Sequence, residues 1–215
     1  MPKDIYLLSN VKSNDLDIKN LNIFDISFIK YNINFTKYDA LLFTSKNAIY
    51  SLDKDDTWKN IPSYAISKKT AKILNNYNSN LVYTGTSGYG DDFANELIPN
   101  LKDKKILYIR AKKVVSNLVN ILNKNNILCD EIITYETICK NYDIKNKPAK
   151  NSIIIFSSPS TIKCFLNNFA WDDSYFAIVI GQTTAKYLPA NINYKIANET
   201  SIESCILSAK SFSKN

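Results

Sequence analysis

Histidine is absent from this 215-residue chain, and arginine occurs once, at Arg110. Without an imidazole, a His-ligated metal site and any Ser-His or Cys-His catalytic couple are excluded. Cys129, Cys139, Cys164 and Cys205 show no C-x-x-C spacing. A thiolate metal site therefore has no support, and the four are expected to be small buried hydrophobes in a reducing compartment. No apolar run approaches the ~20 residues of a membrane-spanning helix. The run Ile5-Tyr6-Leu7-Leu8 is too short for a secretion-signal core and lacks a basic lead-in. A cytoplasmic protein with no membrane partner is the expectation. Glycine occurs only four times, far below the usual ~7%. The run Gly85-Thr86-Ser87-Gly88-Tyr89-Gly90 is neither a G-x-G-x-x-G fingerprint nor a P-loop.

What the chain has in quantity is lysine. The 27 Lys+Arg against 20 Asp+Glu leave a net charge of +7, which suits a polyanionic partner. The lysines are spread out, with no basic run and no aromatic–basic motif of an RNA-binding sheet, so nucleic acid is not expected. Hydrophobic residues make up 45%, enough for a core. Short apolar runs alternate with segments of helical period, which indicates βαβ units and parallel sheets. Strands are expected at 4–8, 23–30, 39–44, 62–66, 80–84, 104–110, 127–134, 152–157, 175–180 and 193–197. Helices are expected at 46–53, 68–77, 91–98, 114–125, 159–168, 182–188 and 201–212, with a weaker one at 13–21.

The pattern repeats. Leu41-Leu42-Phe43 ending in Thr44-Ser45 returns as Ile153-Ile154-Ile155-Phe156 ending in Ser157-Ser158. Tyr64-Ala65-Ile66-Ser67 with Thr70-Ala71 returns as Ile178-Val179-Ile180-Gly181 with Thr184-Ala185, and Leu81–Gly85 is answered by Tyr194–Asn198. Two copies of one α/β unit follow. The second copy ends at the C-terminus without the strand–helix–strand extension that the first has at 104–136, and the N-terminal stretch has the missing form. One domain is therefore expected at 1–31 plus 151–215, with 36–138 inserted into it. Hinge or linker segments would lie at 31–37 and 136–150. A plain tandem duplication is the alternative, and it leaves the N-terminal stretch without a structural slot.

Open parallel sheets take ligands beyond the carboxyl ends of their strands, where helix N-termini present N–H groups. The hydroxyl-rich turns fall at those ends in both copies, so Ser45, Thr70, Ser158, Pro159, Ser160, Thr183 and Thr184 are candidates for holding an anion. All four glycines also lie at strand ends, where positive φ or a close backbone approach is expected of them. Ser87, Gly88 and Gly181 join the candidate set on that ground. Arg110 joins because it ends a strand facing the same rim. Tyr135 sits where the last strand of the insertion leaves for the hinge.

The set FTSKNA at 43–48, Thr70-Ala71, the Gly88 loop, YIR at 108–110, TYET at 134–137, FSSPS at 156–160 and IGQTTA at 180–185 resembles the uroporphyrinogen-III synthase family in order and spacing. The resemblance implies two flavodoxin-like or Rossmann-like parallel-sheet lobes joined by a two-stranded β-ladder hinge. It implies a cyclising hydro-lyase of tetrapyrrole, porphyrin and heme biosynthesis that converts hydroxymethylbilane, a linear tetrapyrrole, into uroporphyrinogen III. Water is lost and ring D inverted through a spiro intermediate in the interdomain cleft. By the same matching, Tyr135 is the proton donor to the leaving hydroxyl. The resemblance further implies a monomer with no cofactor and no metal, receiving its substrate from the upstream bilane-forming enzyme. Ser67 and Ala111-Lys112 stand where the family often has glycine. A non-enzymatic two-lobed module for a small anion, and a flavodoxin-like flavin or nucleotide enzyme, are the competing readings.

Overall fold

The structure is a computed structural model, and it describes residues 3–213. Its strands are β1 (Ile5–Leu8), β2 (Ile18–Leu21), β3 (Phe24–Phe28), β4 (Ala40–Phe43), β5 (Ser63–Ala65), β6 (Leu81–Thr84), β7 (Ile106–Ala111), β8 (Cys129–Cys139), β9 (Ile153–Phe156), β10 (Phe176–Val179) and β11 (Tyr194–Ile196). Its helices are α1 (Lys46–Tyr50), α2 (Lys68–Asn76), α3 (Gly90–Leu97), α4 (Leu118–Lys124), α5 (Pro159–Asn168), α6 (Gln182–Ala185) and α7 (Ile202–Ser213). One compact unit takes the chain up to Asp25 and from Thr137 onward, and the other takes Ile26–Glu136.

In the inserted unit the strand order is β3-β8-β7-β4-β5-β6, and β8, β7, β4, β5 and β6 run parallel. Side chains alternate between two buried faces, the pattern that a doubly covered parallel sheet demands. Leu41, Phe43, Leu107 and Ile109 enter one core with Ala48, Ile49, Ala71 and Leu74 from α1 and α2. Ala40, Leu42, Ile106 and Tyr108 enter the other with Phe93, Leu97, Leu118 and Leu122 from α3 and α4. Trp58 is fully buried in the first core, its ring 5.5 Å from that of Phe43.

In the other unit all five strands are parallel, in the order β11-β10-β9-β1-β2. The N-terminal strand pairs directly with β9, Ile5 opposite Ile153 and Leu8 opposite Phe156. Ile5, Leu7, Ile153, Ile155 and Ile178 face α7 through Cys205 and Ala209. Phe156, from the opposite face, stacks edge-on against Phe165 of α5.

Four features depart from the sequence expectations. The helix expected at 13–21 is strand β2, whose burial is confined largely to Ile18. The chain passes between units within β3 and within β8, adjacent strands of the six-stranded sheet. The first passage precedes 31–37 because Ile29 N–H still donates to Thr134 O at 2.8 Å, while Ile26, Tyr31, Ile33 and Phe35 pack into the inserted unit's core. The polar segment 141–151 is held down. Tyr142 N–H donates to Asn168 Oδ1 at 2.6 Å, Tyr142 OH donates to Asn22 O at 2.9 Å, and Tyr175 OH donates to Pro148 O. Finally, Cys139 and Cys164 form a disulfide, so only Cys129 and Cys205 remain free thiols.

The scarcity of glycine has a structural counterpart. Asn78, Asp103, Asn126 and Asn151 occupy the left-handed region, which asparagine tolerates better than other side chains. Asn78 and Asn126 end α2 and α4 in paired reverse hydrogen bonds. Ser79 N–H reaches Leu74 O and Asn78 N–H reaches Asn75 O; Ile127 N–H reaches Leu122 O and Asn126 N–H reaches Asn123 O. Glycine usually fills that position.

Candidate active site

Parallel pairing sets the carboxyl ends of β4, β5, β6 and β7 along one edge of the inserted unit, with β8 running on beyond them. Ser45 follows β4 and caps α1, its Oγ accepting from Asn47 N–H at 3.2 Å. Ser45 also hydrogen-bonds Tyr135. A register irregularity explains how Tyr135 comes to face it. Arg110 of β7 pairs with Ile133, but Ala111 pairs with Tyr135, so Thr134 is the extra residue of a bulge. Strict alternation would send Tyr135 to the face of Tyr108; the bulge turns it into the core of α1 and α2. Thr134 points the same way and accepts from Ser51 Oγ at 2.7 Å.

Tyr135 is 6% exposed. Burial pushes its phenol above the ordinary tyrosine value, more strongly than the Ser45 bond pulls it down. The phenol is therefore protonated throughout the neutral range. A second hydroxyl pair stands on the other face, Thr44 Oγ1 and Tyr108 OH at 2.8 Å, with Tyr108 pushed up to about 12 by burial. Thr44 carried the same sequence signal as Ser45, a hydroxyl at a strand end, whereas Tyr108 lies within β7 and had none.

The remaining candidates divide by what they already hold. Thr70 is buried, and its N–H is satisfied by the Ser67 cap at 3.4 Å. Ser87 and Gly88 lie exposed in the loop after β6, where Gly88 adopts φ +76°. Gly85 has no room for a side chain, since a Cβ would stand 2.7 Å from Ile66 O. The loop's N–H groups serve an internal anion: Glu96 of α3 accepts from Thr86 N–H at 3.2 Å and from Tyr83 OH at 3.1 Å, as well as from the Thr86 hydroxyl. The Thr86 hydroxyl bond is the main cause holding the Glu96 carboxyl below its ordinary value. No short-range sequence pattern announces this carboxylate.

Arg110 is held by groups of its own unit. Its Nε lies 2.5 Å from Glu131 Oε1, and its Nη1 donates to Ala111 O at 2.9 Å and Lys112 O at 3.3 Å. Glu131 stands on β8 one diagonal step from Arg110 on the same face. Arg110, expected at a strand end facing the rim, thus has Nε and Nη1 engaged within its own unit, where it braces the turn 111–113. Beyond it, Lys113, Val114 and Val115 are exposed.

In the other unit, Ser158 caps α5 with Pro159 in its first turn, and Thr161 Oγ1 both accepts from Ser158 N–H at 3.3 Å and donates to Ser158 O at 2.6 Å. Ser160 is partly exposed on the same turn. Gly181 follows β10 with an extended backbone that any residue adopts, so positive φ is not its reason for being glycine. Thr184 is buried, its N–H donating to Gly181 O at 3.0 Å, while Thr183 is partly exposed. Ser158, Ser160, Gly181 and Thr183 thus share the strand-end rim of one unit. Ser45, Thr70, Ser87, Gly88 and Tyr135 share that of the other. Among the described residues no group of three or more His, Cys, Asp or Glu could hold a metal ion, and no helix is long and apolar enough to cross a membrane.

Fold and rims together define a two-unit parallel α/β protein of the kind that takes ligands beyond its strand carboxyl ends. The family model of uroporphyrinogen-III synthase HemD matches residues 24–206, and the chain belongs to that family. The crystal structure of uroporphyrinogen-III synthetase from Helicobacter pylori is 32% identical, with a TM-score of 0.83 over 98% of this chain and 99% of that one. A triple mutant of uroporphyrinogen III synthase from Thermus thermophilus shares the fold at a TM-score of 0.60 and 11% identity, over 98% of each chain. No curated protein sequence matches.

Proposed function

We propose that this protein is a uroporphyrinogen-III synthase, a cyclising hydro-lyase that closes hydroxymethylbilane to uroporphyrinogen III. The family match across residues 24–206 carries this reading. The chemistry fits the side chains present. Hydroxymethylbilane carries a carboxylate-rich periphery, and the net charge of +7 with strand-end N–H and hydroxyl donors suits such an anion.

The reaction begins with departure of the terminal hydroxyl as water, leaving a pyrrole-stabilised cation. Tyr135 donates the proton to that hydroxyl. Support for this role comes from a phenol that burial keeps protonated and a Ser45 hydroxyl that orients it. Attack by the substituted carbon of ring D then gives the spiro intermediate, whose rearrangement inverts that ring. Unassisted closure yields the other isomer, so the protein's contribution is chiefly to fold the chain of pyrroles before closure. Ser87 and Gly88 of one unit, with Ser158, Ser160, Gly181 and Thr183 of the other, bind the substrate's carboxylates. Thr70 and Thr184, being buried, shape the turns beneath them. The enzyme works as a cytoplasmic monomer without a cofactor and receives its labile substrate from the bilane-forming enzyme.

The test is to supply hydroxymethylbilane and resolve the product isomers by chromatography. Isomer III in excess, formed faster than spontaneous closure, is the expected result. Isomer I alone, at the spontaneous rate, sinks the proposal.

A further inference from the structure

Two sulfur atoms lie outside all of this chemistry. Cys139 is the last residue of β8 and is partly exposed; Cys164 lies within α5 and is 1% exposed. Their Cα atoms are 5.1 Å apart, inside the ~4.4–6.8 Å window in which two cysteines join without backbone movement. That spacing is maintained by other bonds. Asn168 Nδ2 donates to the carbonyl oxygens of Lys140 and Cys164, both at 2.8 Å, and its Oδ1 accepts from Tyr142 N–H. The reduced pair is thus kept in position to re-form its bridge. Asn167 Nδ2 approaches Cys139 Sγ at 3.8 Å, a donor suited to a thiolate. The two remaining cysteines are poor competitors: burial, chiefly, pushes both the Cys129 and the Cys205 thiol up to about 12.

We propose that Cys139 and Cys164 form a reversible dithiol–disulfide couple, oxidised by low-molecular-weight disulfides, that clamps the end of β8 to α5. The accessible Cys139 thiolate attacks one sulfur of a disulfide RSSR, forming Cys139–S–SR and releasing RS⁻. The Cys164 thiolate then attacks the Cys139 sulfur and expels a second RS⁻. Two protein thiols lose two protons and two electrons, and one small disulfide becomes two thiols. Because α5 begins at Ser158, Pro159 and Ser160, the clamp stiffens a helix whose first turn lies on the rim. The couple stands independently of the activity proposed above.

Intact protein is equilibrated with dithiothreitol or with glutathione disulfide, then unfolded in guanidinium, alkylated with iodoacetamide and mapped by mass spectrometry. Four alkylated cysteines are expected after dithiothreitol, and two after glutathione disulfide with the Cys139 and Cys164 peptides linked. Oxidation should raise the thermal midpoint by roughly 6–12 °C, from the size of the loop closed and the size of the chain. That gain should vanish in Cys139→Ser. Cys164→Ser should trap a glutathione adduct on Cys139, and Cys139→Ser should carry none. Should Cys164→Ser fail to fold, the wild-type time course decides, with a transient adduct on Cys139 expected before linkage. Adducts confined to Cys129, absence of linkage at every glutathione ratio, or a linkage that dithiothreitol cannot open would each overturn the couple.

Discussion

A buried phenol beside a serine hydroxyl feels two opposing influences, and at Tyr135 burial is the stronger. The consequence is a phenol that stays protonated throughout the neutral range, as the proton-donor role proposed above requires. Tyr135→Phe removes the proton and little else, so kcat should fall by about 100-fold while KM stays within about twofold, as measured by quenched-flow product analysis. The pH profile should be level from about pH 7 to 9 and descend only above the ordinary tyrosine value of ~10. Ser45→Ala should move that descent to still higher pH, because the bond it removes is the one that lowers the phenol's pKa. Arg110 shows what one residue's surroundings can change. From the sequence it is a lone arginine at a strand end; its engagement by Glu131 depends on which strand lies alongside and in what register. Tyr135 was legible as a position but its direction was not, since a bulge at Thr134 decides which face it joins.

Among the elements, the loop between β6 and α3 is the most dependent on a single charge. Glu96 supplies the anion that its N–H groups and hydroxyls hold. A carboxyl held below its ordinary value contributes stability that is present above the unfolded-state pKa and lost as pH falls through the lowered one. The loop should therefore loosen only below the usual carboxylate range, and Glu96→Gln should loosen it at neutral pH. Hydrogen exchange at Thr86 is the measurement: at least tenfold faster exchange in the variant is expected, and an unchanged rate would remove Glu96 from the account. Most elements were readable because both faces of a parallel sheet are apolar and because α1, α2 and α5 start at serine caps. Strand β2 was not. It is an edge strand with burial concentrated at Ile18, and Ile18 with Leu21 mimics a helical spacing. Left-handed helix ends were also hidden, because asparagine occupies places where glycine would have marked them.

At the scale of the whole molecule, the charge of +7 should attract the polyanionic substrate proposed above through a field that salt screens over ~10 Å at 0.1 M. Raising the salt from about 0.05 to about 0.5 M should increase KM severalfold and leave kcat nearly constant; steady-state kinetics across that series is the check, and a salt-independent KM would argue against a charged substrate. The duplication was legible from matched strand ends, whereas the disulfide was not, because Cys139 and Cys164 meet only once α5 has packed beneath β9. The two passages of the chain through β3 and β8 have a further effect, felt while the protein is being made. Residues 26–136 have all their strand partners as soon as they leave the ribosome, apart from the final turns of β8. Ile5 has to wait for Ile153, and β10 and β11 come later still. Until β9 emerges, β1 has only β2 beside it and its other edge stays open, awaiting a strand about 145 residues further along the chain.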